Sequence, residues 1–369
     1  MFRFAYLILV LSVHASYSQK TYNSFLAARY GEGILVAHRP NMYHLVQKNN
    51  RSVELSWLIQ RTKKDLWGRV YHQPLVGFNL SYRSFGYKDV LGSGYGLTYM
   101  TRFTLLQTKK NLCLELQSHT GFGIVTKRYD KFENPKNIAI GSYLNAKTDL
   151  ELFLTKFHKK FHYGIGIGFS HFSNGAFKAP NLGLNTLSLF ATAGYNLQER
   201  TVAEKFKLSD QLKLEDPFPD HNLNTELILT AKQANATAID PKLYPVVAVR
   251  VNYIYRPRIK WGADVSLDLI YNGANPFLWP EDGHTSSEAF QVGIYTGAVT
   301  YFYNTAVYFG GGVYLVDPVA AAERIYDRLG IQHYFSEKWY ALFTIKANYA
   351  KADYFEFGVG YRVKAWGKN

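Results

Sequence analysis

His171 and Ser173 flank a single phenylalanine, and Asn185 follows on the far side of a turn-rich stretch. A hydroxyl, an imidazole able to take its proton and an amide able to orient the imidazole are the parts of a nucleophilic acyl-transfer site. They can act together only if the chain brings them to one end of one surface. The residues before them indicate how. Phe161, Tyr163, Ile165, Ile167 and Phe169 alternate with His162, Gly164, Gly166, Gly168 and Ser170. A strict period of two marks a strand with two unlike faces. Continued two steps, the bulky apolar face reaches His171 and Ser173.

The return stretch repeats the pattern. Leu187, Leu189, Ala191, Ala193, Tyr195 and Leu197 share a face that Asn185 begins. Between the two runs lies Asn174-Gly175-Ala176-Phe177-Lys178-Ala179-Pro180-Asn181-Leu182-Gly183, rich in turn residues. A hairpin therefore places His171, Ser173 and Asn185 at one end of one apolar face.

The same alternation recurs along the whole chain of 369 residues, which is 16% aromatic with 29 Tyr, 25 Phe and 29 Gly. Sixteen stretches read as strands, at about 28–37, 51–60, 76–86, 94–107, 111–126, 138–154, 160–173, 182–197, 224–232, 244–256, 259–271, 287–300, 304–315, 327–336, 339–350 and 354–366. Many reach the roughly 9–11 residues that a tilted membrane-spanning strand needs. Trp261 and Trp339 stand near strand ends, as in an interfacial aromatic girdle. Short turns such as 256–258 and 337–338 alternate with longer connections such as 127–137 and 272–286. That is the outer-membrane arrangement, with short periplasmic turns and long external loops. The expectation is an all-β, antiparallel transmembrane β-barrel with an even strand number, best counted as 16 (12–16 allowed).

Residues 1–18 read as a secretory signal: Arg3, an apolar core to Val13, then small residues at Ser16 and Ser18. Residues 19–369 form the barrel, with a charged insert at 198–222 and additional strands at 223–369. The insert reads as a lid, a plug or a linker between two eight-stranded units. A single continuous barrel is preferred, because each half would otherwise need its own closure to hide its strand edges from lipid. Cys113 is the only cysteine, which excludes a disulfide framework and a cysteine-rich zinc site. The formal net charge of +14 suits anionic lipid head groups better than nucleic acid in an exported, strand-rich chain.

The motif His171-Phe172-Ser173-Asn174-Gly175, followed by Ala179-Pro180-Asn181-Leu182-Gly183, resembles the active-site region of the PagL-type lipid A 3-O-deacylases, also called acyloxyacyl hydrolases. Tyr129-Asp130 and the run from Asn134 to Asn145 are similar to the longer relatives in that group, and the resemblance is clearest over about 110–197. It implies a bacterial outer-membrane serine esterase that removes an ester-linked acyl chain from lipid A, the lipid anchor of lipopolysaccharide in the outer leaflet. It implies Ser173 as nucleophile and His171 as base, with Asn174 and Gly175 at the oxyanion position. No metal or organic cofactor is implied. The family's acidic residue falls at Asn185. An amide can fix the imidazole tautomer but carries no charge, so the expectation is a slower enzyme or a different acid recruited in space. The competing reading is a non-enzymatic barrel, either a channel or a surface-binding protein.

Other candidates carry less. Gly310-Gly311-Gly312 inside a strand suggests a bulge or close packing. Asp264 and Asp268 share a luminal face and suit luminal Lys or Arg partners.

Overall fold

A computed structural model of the chain describes residues 22–61, 66–197, 216, 218–234, 242–278, 285–319, 324–348 and 351–367. The expected signal segment 1–18 and most of the insert 198–222 lie outside them. Among the described residues there are sixteen strands, all paired antiparallel with their neighbours. They close as two barrels of eight, not as the single barrel preferred from the sequence.

The first barrel comprises β1 (Tyr22–Leu35), β2 (Asn50–Arg61), β3 (Leu75–Ser84), β4 (Ser93–Gln107), β5 (Leu112–Val125), β6 (Leu144–His158), β7 (Phe161–Ser173) and β8 (Leu184–Asn196). β1 pairs with β8 from Phe25↔Asn196 to Leu35↔Thr186. The closure that argued against two units is thus supplied within the first half itself. β6 begins at Leu144, later than expected. The apolar residues Ala139 and Ile140 are fully buried in the preceding loop instead, where Ile140 bridges Asn181 and the Gly183 amide donates to Ala139 O at 2.9 Å.

Eight strands enclose a space that side chains can fill, and here they do. Arg29 lies between Glu54 (3.5 Å) and Glu151, Arg83 faces Glu54, and Lys147 pairs with Asp149, all buried. Phe25, Leu58, Leu75, Met100, Cys113 and Phe157 form an apolar layer at the end where short turns connect the strands. A short helix, α1 (Leu66–Val70), buries Leu66, Trp67 and Val70 in the β2–β3 connection. The outward positions are apolar and exposed, among them Leu55, Phe78, Leu97, Phe122, Leu150 and Ile165. An apolar exterior around a charged interior suits lipid outside.

The second barrel comprises β9 (His221–Gln233), β10 (Leu243–Tyr255), β11 (Trp261–Asn272), β12 (Phe290–Phe302), β13 (Thr305–Val316), β14 (Ile325–Tyr334), β15 (Trp339–Asn348) and β16 (Lys351–Trp366). β9 pairs with both β10 and β16, which closes it. Its interior is a charged cluster walled by tyrosines. Arg250 contacts Glu226 (2.6 Å), Asp268 (3.1 Å) and Asp264 (3.5 Å), and Arg328 contacts Glu356 (2.9 Å) and Asp268. The luminal pairing expected for Asp264 and Asp268 is present. The glycine run packs closely: a Cβ on Gly312 would collide with the Tyr326 ring. Just before β9, Phe218 is buried against Tyr301 and Tyr334, and Asp216 pairs with Arg256 at 2.5 Å. The end of the insert therefore packs into the second barrel. Trp261 and Trp339 are half-exposed at the starts of their strands, as an interfacial girdle requires.

Candidate active site

β7 delivers the catalytic candidates by simple alternation. Phe161 and Ile165 are 59% and 67% exposed on its outer face, whereas His162 and Ser170 are buried inside. Phe172 turns inward and packs edge-to-face on Phe85, with ring centroids 5.4 Å apart. His171 and Ser173 flank it with the parity of the outward set, but His171 is half-buried and Ser173 is buried, unlike the exposed apolar residues before them. The hairpin register sets His171 directly opposite Asn185. This is the end of the barrel that bears the longer connections, β5–β6 and β7–β8.

His171 Nδ1 lies 2.5 Å from Asn185 Oδ1. An amide oxygen only accepts, so Nδ1 carries the proton and Nε2 keeps its lone pair. That is the tautomer a general base needs. The other end of the same amide is also held. Asn185 Nδ2 donates to His38 Nδ1 at 3.0 Å. His38 follows β1, whose ladder with β8 is extended by a bond from the Val36 amide to Asn185 O at 2.8 Å. Among the described residues no carboxylate hydrogen-bonds His171. A second histidine, His38, occupies the outer position beside Asn185.

Ser173 belongs to a different network. Its Oγ lies 2.9 Å from Asn181 Nδ2, which donates to it, and accepts the Gly175 amide N–H at 3.1 Å. Asn181 Oδ1 accepts the Asn174 amide N–H at 2.9 Å. The Gly175 bond is a turn closed by a serine hydroxyl. Gly175 itself has φ +61°, a region where an L side chain is strained. The Asn174 side chain is committed to the loop: its Nδ2 donates to Ser142 Oγ (2.9 Å) and to Lys178 O (2.7 Å). Of the two oxyanion candidates, Asn174 has its side-chain donors occupied. The backbone N–H groups of Asn174 and Gly175 point into the Ser173–Asn181 network.

The structure therefore joins His171 to Asn185, and Ser173 to Asn174 and Gly175. Among the described residues none of the hydrogen bonds of Ser173 is made to His171. Two participants escaped the sequence reading. Asn181 was visible only as one of several turn residues. His38 lies far from the motif in sequence, and nothing in the local pattern around His38-Arg39-Pro40 marks it.

Two family profiles match the chain. The profile described as lipid A 3-O-deacylase (PagL) matches residues 51–215, and the one described as acyloxyacyl hydrolase, C-terminal domain, matches residues 221–365. The chain belongs to the PagL family, in its extended form. The first match ends and the second begins near the start of β9, so each profile falls on one closed barrel. Among solved structures, the outer-membrane enzyme PagL is 18% identical, covering 46% of this chain and 97% of that one, with a TM-score of 0.32. The Acinetobacter baumannii outer-membrane protein Omp33 is 8% identical, covering 93% and 99%, with a TM-score of 0.18. A mutant porin of Rh. blastica is 9% identical, covering 92% and 99%, also with a TM-score of 0.18. No curated protein matches the chain. Within this PagL-family chain, His171 and Asn185 are hydrogen-bonded to each other.

Proposed function

We propose that this protein is an outer-membrane esterase that removes an ester-linked acyl chain from lipid A. Ser173 Oγ attacks the acyl carbonyl carbon, and its proton passes to His171 Nε2. The tetrahedral intermediate collapses by expelling the sugar oxygen, which takes the proton back from Nε2. Water then hydrolyses the acyl-enzyme with His171 again as base. Asn185 holds the imidazole, and the backbone N–H groups of Gly175 and Asn174 serve the developing oxyanion once they are released from Ser173 and Asn181.

One observation carries the reading. His171 donates from Nδ1 to Asn185, which frees Nε2 on the strand face that Ser173 shares. Productive attack requires the Ser173 hydroxyl to exchange its bond with Asn181 for one with His171. Catalytic hydrogen bonds are often unmade before substrate arrives. The pair continues the parity of the exposed apolar face of β7, which favours an acyl chain arriving from the bilayer side once the buried Ser173 is uncovered.

The test is the lipid A mass profile of cells expressing the wild type, Ser173→Ala or His171→Ala. Loss of one acyl chain with the wild type alone supports the proposal. Equal acyl loss with all three removes it. The competing reading, a non-enzymatic barrel, draws on the bonding of Ser173 to Asn181 in place of His171. Its channel version is opposed by the filled interiors of both barrels.

A further inference from the structure

The amide at position 185 raises a problem that a carboxylate would not. A carboxylate presents an oxygen to the imidazole whichever way it turns. An amide has one oxygen and one NH₂ of nearly the same shape. Rotated by half a turn, Asn185 would point its NH₂ at His171 Nδ1. His171 would then have to accept there, which moves its proton to Nε2 and leaves no base facing Ser173. In serine hydrolases the exchange of the acid for its amide lowers kcat by about 10⁴ for this reason. A working enzyme with Asn185 needs something that sets the amide's direction.

We propose that His38 is that element: a positioning residue that fixes Asn185 and, through it, the tautomer of His171. The inference rests on the esterase reading above. Its basis is the three-membered chain His171 Nδ1–H to Asn185 Oδ1 at 2.5 Å, then Asn185 Nδ2–H to His38 Nδ1 at 3.0 Å. When Ser173 gives up its proton, His171 becomes an imidazolium and both its nitrogens donate. Asn185 Oδ1 must then face it, so Nδ2 must face outwards, and its partner must accept. Neutral His38 with a lone pair on Nδ1 meets that demand. A proton on His38 Nδ1 would instead set two donors face to face at this contact.

His38 is placed for the task by backbone pairing. The bond from Val36 N–H to Asn185 O carries the β1–β8 ladder one step past Leu35↔Thr186. His38 follows two residues later, at the level of the Asn185 side chain. It is exposed and packs in no core, so a purely structural role has little to act on. It does not touch the reacting atoms.

The experiment measures kcat and KM for release of fatty acid from lipid A by the purified full chain. His38→Ala lowers kcat by roughly tenfold, the worth of one neutral hydrogen bond, with KM little changed. His38→Asn, whose side-chain oxygen can accept in place of Nδ1, restores most of that loss. In an Asn185→Asp background the direction of the group no longer matters, and His38→Ala costs less than about twofold by the same reasoning. Nitrogen-15 NMR of labelled histidine reads the tautomer independently of turnover: the His171 signal shifts towards the Nε2–H form in His38→Ala. The proposal is overturned if His38→Ala matches the wild type, if His38→Asn is as slow as His38→Ala, or if Asn185→Asp is inactive or keeps the full His38 dependence. Ser173→Ala, run alongside, separates the two failures. If it remains active, the esterase reading falls; if it is dead while His38 has no effect, only the positioning role falls.

Discussion

Asn185→Asp should make this protein a faster enzyme. The substitution keeps the shape of the side chain and swaps NH₂ for a second oxygen. His171 Nδ1–H already points at this side chain at 2.5 Å, so no rearrangement is needed to form a charged hydrogen bond. A bond to a charged group contributes about 1.5–3 kcal/mol, against about 0.5–1.5 for a neutral one. The gain appears only as His171 becomes an imidazolium, so it enters the transition state. A difference of about 1.4 kcal/mol is tenfold in rate. Full Coulomb attraction at about 4 Å and an effective dielectric of 20 sets a ceiling near 4 kcal/mol, or roughly a thousandfold. The half-buried site and partial charge development place the expectation near the lower figure, about tenfold in kcat. His38 accommodates the change by moving its proton to Nδ1 and donating to the new oxygen. The assay is release of fatty acid from lipid A in detergent micelles, followed by mass spectrometry across substrate concentrations. An unchanged or lowered kcat, with the folded barrels intact by heat-modified mobility on gels, would refute the account of Asn185 as a charge-free substitute.

Ser173→Ala and His171→Ala should each lower deacylation by several orders of magnitude, since nucleophile and base act as a unit; lipid A mass spectra check this. Asn181→Ala frees the Ser173 hydroxyl and the Asn174 amide from their shared partner. We expect kcat to fall by roughly ten- to a hundredfold as the donors behind the nucleophile lose their order, measured in the same assay. Arg250→Ala removes the cation shared by Glu226, Asp264 and Asp268 in the second barrel, and should cost about 3–5 kcal/mol. The unfolding midpoint in urea with lipid vesicles reads that loss. The filled interiors predict no stepwise ion conductance in planar bilayers, and steady single-channel currents would contradict that packing.

The strands were legible because their cause is local. Alternation such as Trp261, Ala263, Val265, Leu267 and Leu269 against Gly262, Asp264, Ser266 and Asp268 needs only the pleat of one strand and a difference between its two sides. The boundaries of β7 and β8 could be placed from it, and the register that sets His171 opposite Asn185 followed from the hairpin. β6 was extended too far because Ile138, Ala139 and Ile140 look like strand residues. Ala139 and Ile140 are instead buried in a loop, a fact of packing and not of periodicity.

The sequence by itself determined the strand count, the outward side of His171 and the presence of an amide where an acid was expected, since each depends on residue type and short-range order. Only the tertiary structure decided that the strands close as two barrels, because closure is a pairing between β1 and β8, and between β9 and β16, at long separations that alternation cannot encode. It alone also brought Asn181 to Ser173 and His38 to Asn185. Those contacts cross loops and a barrel seam, and no periodic signal reaches across either.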